Sequence, residues 1–194
     1  MLRSLVGSEM CIRDSSKAYE VLTNLSSTKN NIILDFNYTA STRLILKQCG
    51  LSDEDIDNRL IKVHGEASNN DIIFGVEDNA GIKKEHVFLR KAYNIKYKAL
   101  NFSELYDRIK SVAIFGHSLG ETDHTYFNKL FQESCMYNKF STNNNKEFWL
   151  FYYKENGYHC MMQQLDSLTH NSLTSFRQYN RVNFINTDKE KVFI

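Results

Sequence analysis

Val112-Ala113-Ile114-Phe115-Gly116-His117-Ser118-Leu119-Gly120 is the stretch whose reading decides the fold. Four apolar residues in an unbroken run read as a strand covered on both faces, the pattern of a central parallel strand. The polar, glycine-bounded turn then leads into Tyr126, Phe127, Leu130 and Phe131, spaced as one helical face, with Thr122 or Asp123 as its cap. A strand, a tight turn and a helix in that order are the unit from which α/β sheets are built.

Working outward, the same rhythm recurs. Asn31 to Phe36 reads as a short buried strand with Asn37-Tyr38-Thr39 as its exit. Ser41 to Cys49 reads as a helix that Thr39 or Ser41 can cap and Gly50 can stop in a left-handed conformation. Leu60-Ile61-Lys62-Val63 is a second strand ending at His64-Gly65, and Asp71-Ile72-Ile73-Phe74 a third ending at Gly75. Ser52-Asp53-Glu54-Asp55 reads as an acidic surface turn. Lys83 to Ala99 and Phe102 to Ile109 read as helices. Phe148 to Tyr153 is a further buried strand, and Val182 to Ile185 a last one. Between them Tyr158, Met161, Met162, Leu165 and Leu168 mark an amphipathic helix. The expected architecture is α/β, a mostly parallel central sheet flanked by helices, in one domain spanning residues 17–194. Ligands of such sheets sit at the carboxyl ends of the strands. The three polar strand ends at Asn37, His64 and Gly116–Gly120 therefore predict one shared cleft.

Bulk properties narrow the function. A net charge of +1 over 194 residues gives no argument for nucleic acid or an anionic membrane as partner. No run approaches the ~20 apolar residues of a membrane span. Cys11, Cys49, Cys135 and Cys160 form no Cys-x-x-Cys pair, which predicts reduced thiols in a cytoplasmic protein and no metal site. The chain has no proline, so turns fall to Gly, Asn, Asp and Ser. Residues 1–16 are expected to be a non-native leader, in which Ser4 to Ser15 has neither helical nor strand period. Ser4 to Ser15 is similar to translated adaptor sequence, so the native chain is expected to begin near Ser16 or Lys17.

Gly116-His117-Ser118-Leu119-Gly120 also fits Gly-x-Ser-x-Gly, the nucleophile elbow, with Ser118 as nucleophile. The acid and base must follow in sequence. The available pair, Asp166 and His170, falls on one predicted helix, and no oxyanion-type Gly-Gly segment precedes the turn. The plainer reading is a strand-end turn that holds phosphate or ribose. Asn37 also reads as a helix cap and His64 as a structural histidine. His117 faces either the cleft or solvent.

The ordered set Phe36-Asn37-Tyr38-Thr39, Val63-His64-Gly65, Ile73-Phe74-Gly75 and Ile114-Phe115-Gly116-His117-Ser118-Leu119-Gly120 with Asp123 resembles the bacteriophage abortive-infection family AbiH. That family is in turn distantly similar to sirtuin-type NAD-binding domains. The resemblance implies a Rossmann-like, sirtuin-like core in a phage-defence protein that binds or hydrolyses NAD. It implies His64 as general base, with Asn37 fixing water or the nicotinamide ribose. Thr39, Gly65, Gly116, His117, Ser118 and Asp123 fall to cofactor binding. A dinucleotide is the implied ligand, with no metal, and homo-oligomerisation stays open. The family's first strand and its Gly-Asn-Gly-Phe-Asp-type turn are missing, so this chain is expected to be weak or inactive as an enzyme. A non-catalytic nucleotide sensor or toxin partner and a serine hydrolase through Ser118 are the alternatives.

Overall fold

The computed structural model describes residues 17–28, 30–73, 75–76, 80–94, 108–136 and 145–188. The expected leader 1–16, Phe74, residues 95–99 of one expected helix and 102–107 of the next lie outside the described residues. The chain divides into two compact units. The first holds the described residues up to Gly75 together with 85–94. The second holds Val76, 80–84 and 108–188.

The first unit is built from α1 (Lys17–Ser26), β1 (Ile33–Asp35), α2 (Ser41–Gln48), α3 (Asp53–Arg59) and β2 (Leu60–Lys62). β1 and β2 pair in parallel, from Ile33 opposite Leu60 to Asp35 opposite Lys62. Leu46, Ile56 and Leu60 form its buried core, with Leu22, Ile33 and Leu51 packed against them. Gly50 ends α2 as the sequence suggests, at φ +88°. Its N–H bonds Lys47 O, and that of Leu51 bonds Leu46 O, the paired closure of a left-handed helix stop. The start of α2 differs from expectation. Ala40 takes the cap position and no side chain caps it, because the Thr39 and Ser41 hydroxyls lie 3.0 Å from each other instead.

The acidic stretch is a helix rather than a turn. Ser52 accepts from the Asp55 N–H and so caps α3, and Asp53, Glu54 and Asp55 fill a first turn where the helix dipole favours negative charge. The third expected strand does not form. The Ile73 N–H bonds His64 O and Asp71 Oδ1 takes the Glu66 N–H, so residues 71–73 close back on the His64 loop instead of joining a ladder. Of the expected helix from Lys83, residues 84–89 and 91–93 are 3₁₀ turns.

In the second unit β3 (Ser111–Ile114), α4 (His124–Ser134), β4 (Glu147–Tyr152), α5 (Lys154–Leu168), α6 (Leu173–Tyr179) and β5 (Arg181–Asn186) follow in order. The strands form a parallel sheet in the order β3-β4-β5, with Ser111 opposite Glu147 and Glu147 opposite Arg181. Its core is aromatic. Phe131 of α4, Phe148 of β4 and Phe176 of α6 are fully buried, with ring centroids 4.7–5.6 Å apart. Met161, Leu165 and Leu168 are buried along the predicted stripe of α5.

The α/β class with parallel strands is thus what the sequence predicted. Among the described residues its strands divide between a pair and a triplet. No helix among them is long and apolar enough to cross a membrane.

Candidate functional site

The carboxyl ends of β1 and β2 lie side by side, because the parallel register sets Asp35 beside Lys62. Asn37 and Thr39 follow one strand and His64 and Gly65 the other, and the two exits are tied together through Lys62 and through the His64 ring against Phe36 and Tyr38. Asp35 is 4% exposed. Its Oδ2 accepts from Lys62 Nζ at 2.9 Å. Its Oδ1 accepts both from the Asn37 backbone N–H at 2.9 Å and from Asn37 Nδ2 at 3.1 Å.

Lys62 also donates to the carbonyls of Asn37 and Thr39. An ammonium has three donors, and here all three serve the protein. Lys62 therefore staples the Asn37–Thr39 loop to its strand and keeps no donor for a phosphate. Glu66 Oε2 stands 4.0 Å from the same ammonium.

His64 is buried at 5% exposure. Its ring meets the edge of Phe36 at 5.4 Å and stacks on Tyr38 at 5.9 Å. The Tyr38 carbonyl accepts from the Ala67 N–H, which ties the two strand exits together. Gly65 has a structural reason of its own. At φ +74° it turns the chain so tightly that an added Cβ would lie 2.1 Å from Asp71 O. Only glycine permits that approach.

Gly116, His117, Ser118 and Asp123 come together in the second unit, at the end of β3. His117 Nδ1 accepts from the Leu119 N–H at 2.9 Å, and its Nε2 lies 3.3 Å from Asp123 Oδ2. An Nδ1 that accepts carries no proton, so the ring is the Nε2–H tautomer donating to the carboxylate. Asp123 sits at the cap position of α4 without capping it, because its carboxylate serves His117.

His124, which no sequence motif marks, joins the turn. Its Nε2 lies 3.0 Å from Leu119 O and 2.9 Å from Gln164 Oε1. Two imidazoles thus hold the N–H and the carbonyl of one residue, Leu119, which is fully buried at φ +53°. Such a backbone costs a branched residue about 1–3 kcal/mol and persists only when its surroundings fix it.

Ser118 is exposed and is not the strained residue of the turn. A nucleophile elbow puts the strain on the serine itself. His170 engages Gln132, Nε2 to Nε2 at 3.0 Å. Among the described residues no group of three or more His, Cys, Asp or Glu side chains could hold a metal ion.

Residues 8–149 match the family model described as Bacteriophage abortive infection AbiH. No curated protein and no solved structure matches the chain. The matched span takes in α1 to β3, both strand ends of the first unit, the Gly116–Gly120 turn and the start of β4. The chain belongs to the AbiH family of bacteriophage abortive-infection proteins.

Proposed function

We propose that this abortive-infection protein acts on the nicotinamide dinucleotide pool, binding NAD at the strand ends of the first unit and cleaving its nicotinamide–ribose bond. What supports the reading is the juxtaposition of Asn37 and His64 beyond the register pair Asp35–Lys62, at the sheet edge where α/β proteins take ligands. The residue types suit the reaction. Cleavage passes through an oxocarbenium-like cation, a neutral imidazole accepts a proton from a ribose hydroxyl or water, and a carboxamide orients that hydroxyl. Asp35, Glu66 and Asp71 surround the loop with negative charge that favours a cation.

The test is NAD⁺ binding by the whole chain, followed by thermal denaturation, with nicotinamide release measured in the same samples. Stabilisation by NAD⁺ that Asn37→Ala removes, with the circular dichroism unchanged, is the expected result. No stabilisation of the wild type refutes the reading. The burial of His64 between Phe36 and Tyr38 favours a second reading, a nucleotide sensor without turnover. Binding with no nicotinamide release, and with His64→Ala as responsive as wild type, decides for the sensor.

A further inference from the structure

The geometry points to Asp35, held by Lys62, as a positioning residue that fixes the Asn37 carboxamide with its Oδ1 offered to a ligand hydroxyl. This rests on the reading of Asn37 as a ligand contact.

A carboxamide has two faces that differ by a half-turn, one presenting oxygen and the other N–H. What selects between them here is Asp35. An ionised carboxylate only accepts, so it can bond the Asn37 Nδ2–H and repels Oδ1. Its other oxygen accepts from Lys62 Nζ at 2.9 Å, and the Asn37 backbone N–H on the same Asp35 Oδ1 fixes the distance. Bonds to an ionised acceptor are about twice as strong as neutral ones.

Asn37 itself is exposed, and among the described residues no group donates to its Oδ1. The outward atom is therefore an acceptor held in place before any ligand arrives. Its complement is a donor, and a ribose hydroxyl supplies one. Phosphate oxygens do not, and Lys62 has no donor left for them. The strand ends of the first unit are thereby specified for a sugar hydroxyl rather than a phosphate.

The experiment follows the Asn37 side-chain protons by NMR in the full chain labelled with ¹⁵N-asparagine, with the resonance pair assigned by its loss in Asn37→Ser. Exposed Asn156 on α5 is the internal reference. In the wild type without ligand, one Nδ2 proton of Asn37 should exchange with solvent at least about tenfold more slowly than those of Asn156. Asp35→Asn should abolish that protection and Lys62→Arg should retain it. Exchange as fast as that of Asn156 in the unmodified protein overturns the proposal with no variant needed, so misfolding of a variant cannot shelter it. NAD⁺ is then titrated against an analogue lacking the nicotinamide-ribose hydroxyls. Movement of the Asn37 pair by NAD⁺ alone supports the hydroxyl assignment, and equal movement by both overturns it. No movement by either, with the protection intact, overturns the nucleotide reading and leaves the positioning by Asp35 standing.

Discussion

Replacing Gly65 by alanine should destabilise the first unit by clearly more than replacing Gly50, although both glycines are left-handed. Gly50 sits at φ +88° with nothing within 4 Å of an added Cβ. Its substitution therefore costs the left-handed backbone penalty alone, about 1–2 kcal/mol. Gly65 sits at φ +74° and bears the same penalty, but its Cβ would also lie 2.1 Å from Asp71 O and 2.7 Å from the carbonyl carbon. The obstacle is backbone, so no rotamer change relieves it. Separating the strands of that loop strains the Ile73 N–H bond to His64 O and the Glu66 N–H bond to Asp71 Oδ1. Forced overpacking adds about 1–3 kcal/mol, giving a total near 2–5 kcal/mol. Urea unfolding of Gly50→Ala and Gly65→Ala in parallel, followed by circular dichroism and by the Ile73 amide, measures the difference. Costs equal to within about 0.5 kcal/mol, the error of such comparisons, would refute the close approach of Gly65 to Asp71. The same result would remove the structural account of how His64 is held.

Two further outcomes follow from the second unit and the thiols. Asn180 is a buried hub whose Oδ1 accepts from the Lys146 N–H, while Nδ2 donates to Ser134 O at 2.7 Å and to Phe176 O at 2.8 Å. Asn180→Asp keeps the shape and turns two attractive contacts into repulsive ones, so it should cost about 2–4 kcal/mol at neutral pH. The introduced carboxyl is favoured in its neutral form there, so the loss should shrink as pH falls through its folded-state value, whereas Asn180→Ala should show no such recovery in urea melts. Burial pushes the Cys135 thiol up, and its S–H bonds Phe131 O at 3.2 Å, whereas Cys160 is exposed. Alkylation at pH 8, resolved by peptide mass spectrometry, should label Cys160 first and Cys135 at least about tenfold later; equal rates would contradict the packing of α4.

The fold was legible wherever one local signal sufficed. The run Val112–Phe115, which forms a strand but the edge rather than the centre of its described sheet, the stripe Met161-Leu165-Leu168 and the stop at Gly50 each carry a local signal that neighbours do not overrule. Failures came where signals compete. Three acids after Ser52 look like solvated surface, yet a capping hydroxyl followed by acids is also how a helix begins, and Ile56 supplies the buried contact that decides for the helix. Asp71-Ile72-Ile73 has the composition of a strand, but the Ile73 N–H is taken by His64 O and the Asp71 carboxylate by the Glu66 N–H. A pattern of side chains cannot show which carbonyl an amide will find. α6 was missed for a related reason. Only Phe176 of its seven residues is buried, too little for a helical period to show.

The site divides along the same line. Asn37, His64 and Ser118 drew attention because their side chains do chemistry, and the glycine turns because their backbones must be unusual. Asp35 and Lys62 drew none, since a lone acid and a lone base 27 residues apart carry no joint signature. Parallel register is what makes them partners, and register exists only once two strands have paired. His117 shows the converse. The motif left it facing either the cleft or solvent, and only the family resemblance gave it to cofactor binding; both ring nitrogens engage this chain, one the Leu119 N–H and the other Asp123. A histidine so engaged shapes the turn and offers a ligand only what the turn exposes, which is Ser118 and the backbone around Gly116. A motif names the residue types at a strand end. Which of them bear function and which hold the others in place is set by hydrogen bonds that run across the sequence.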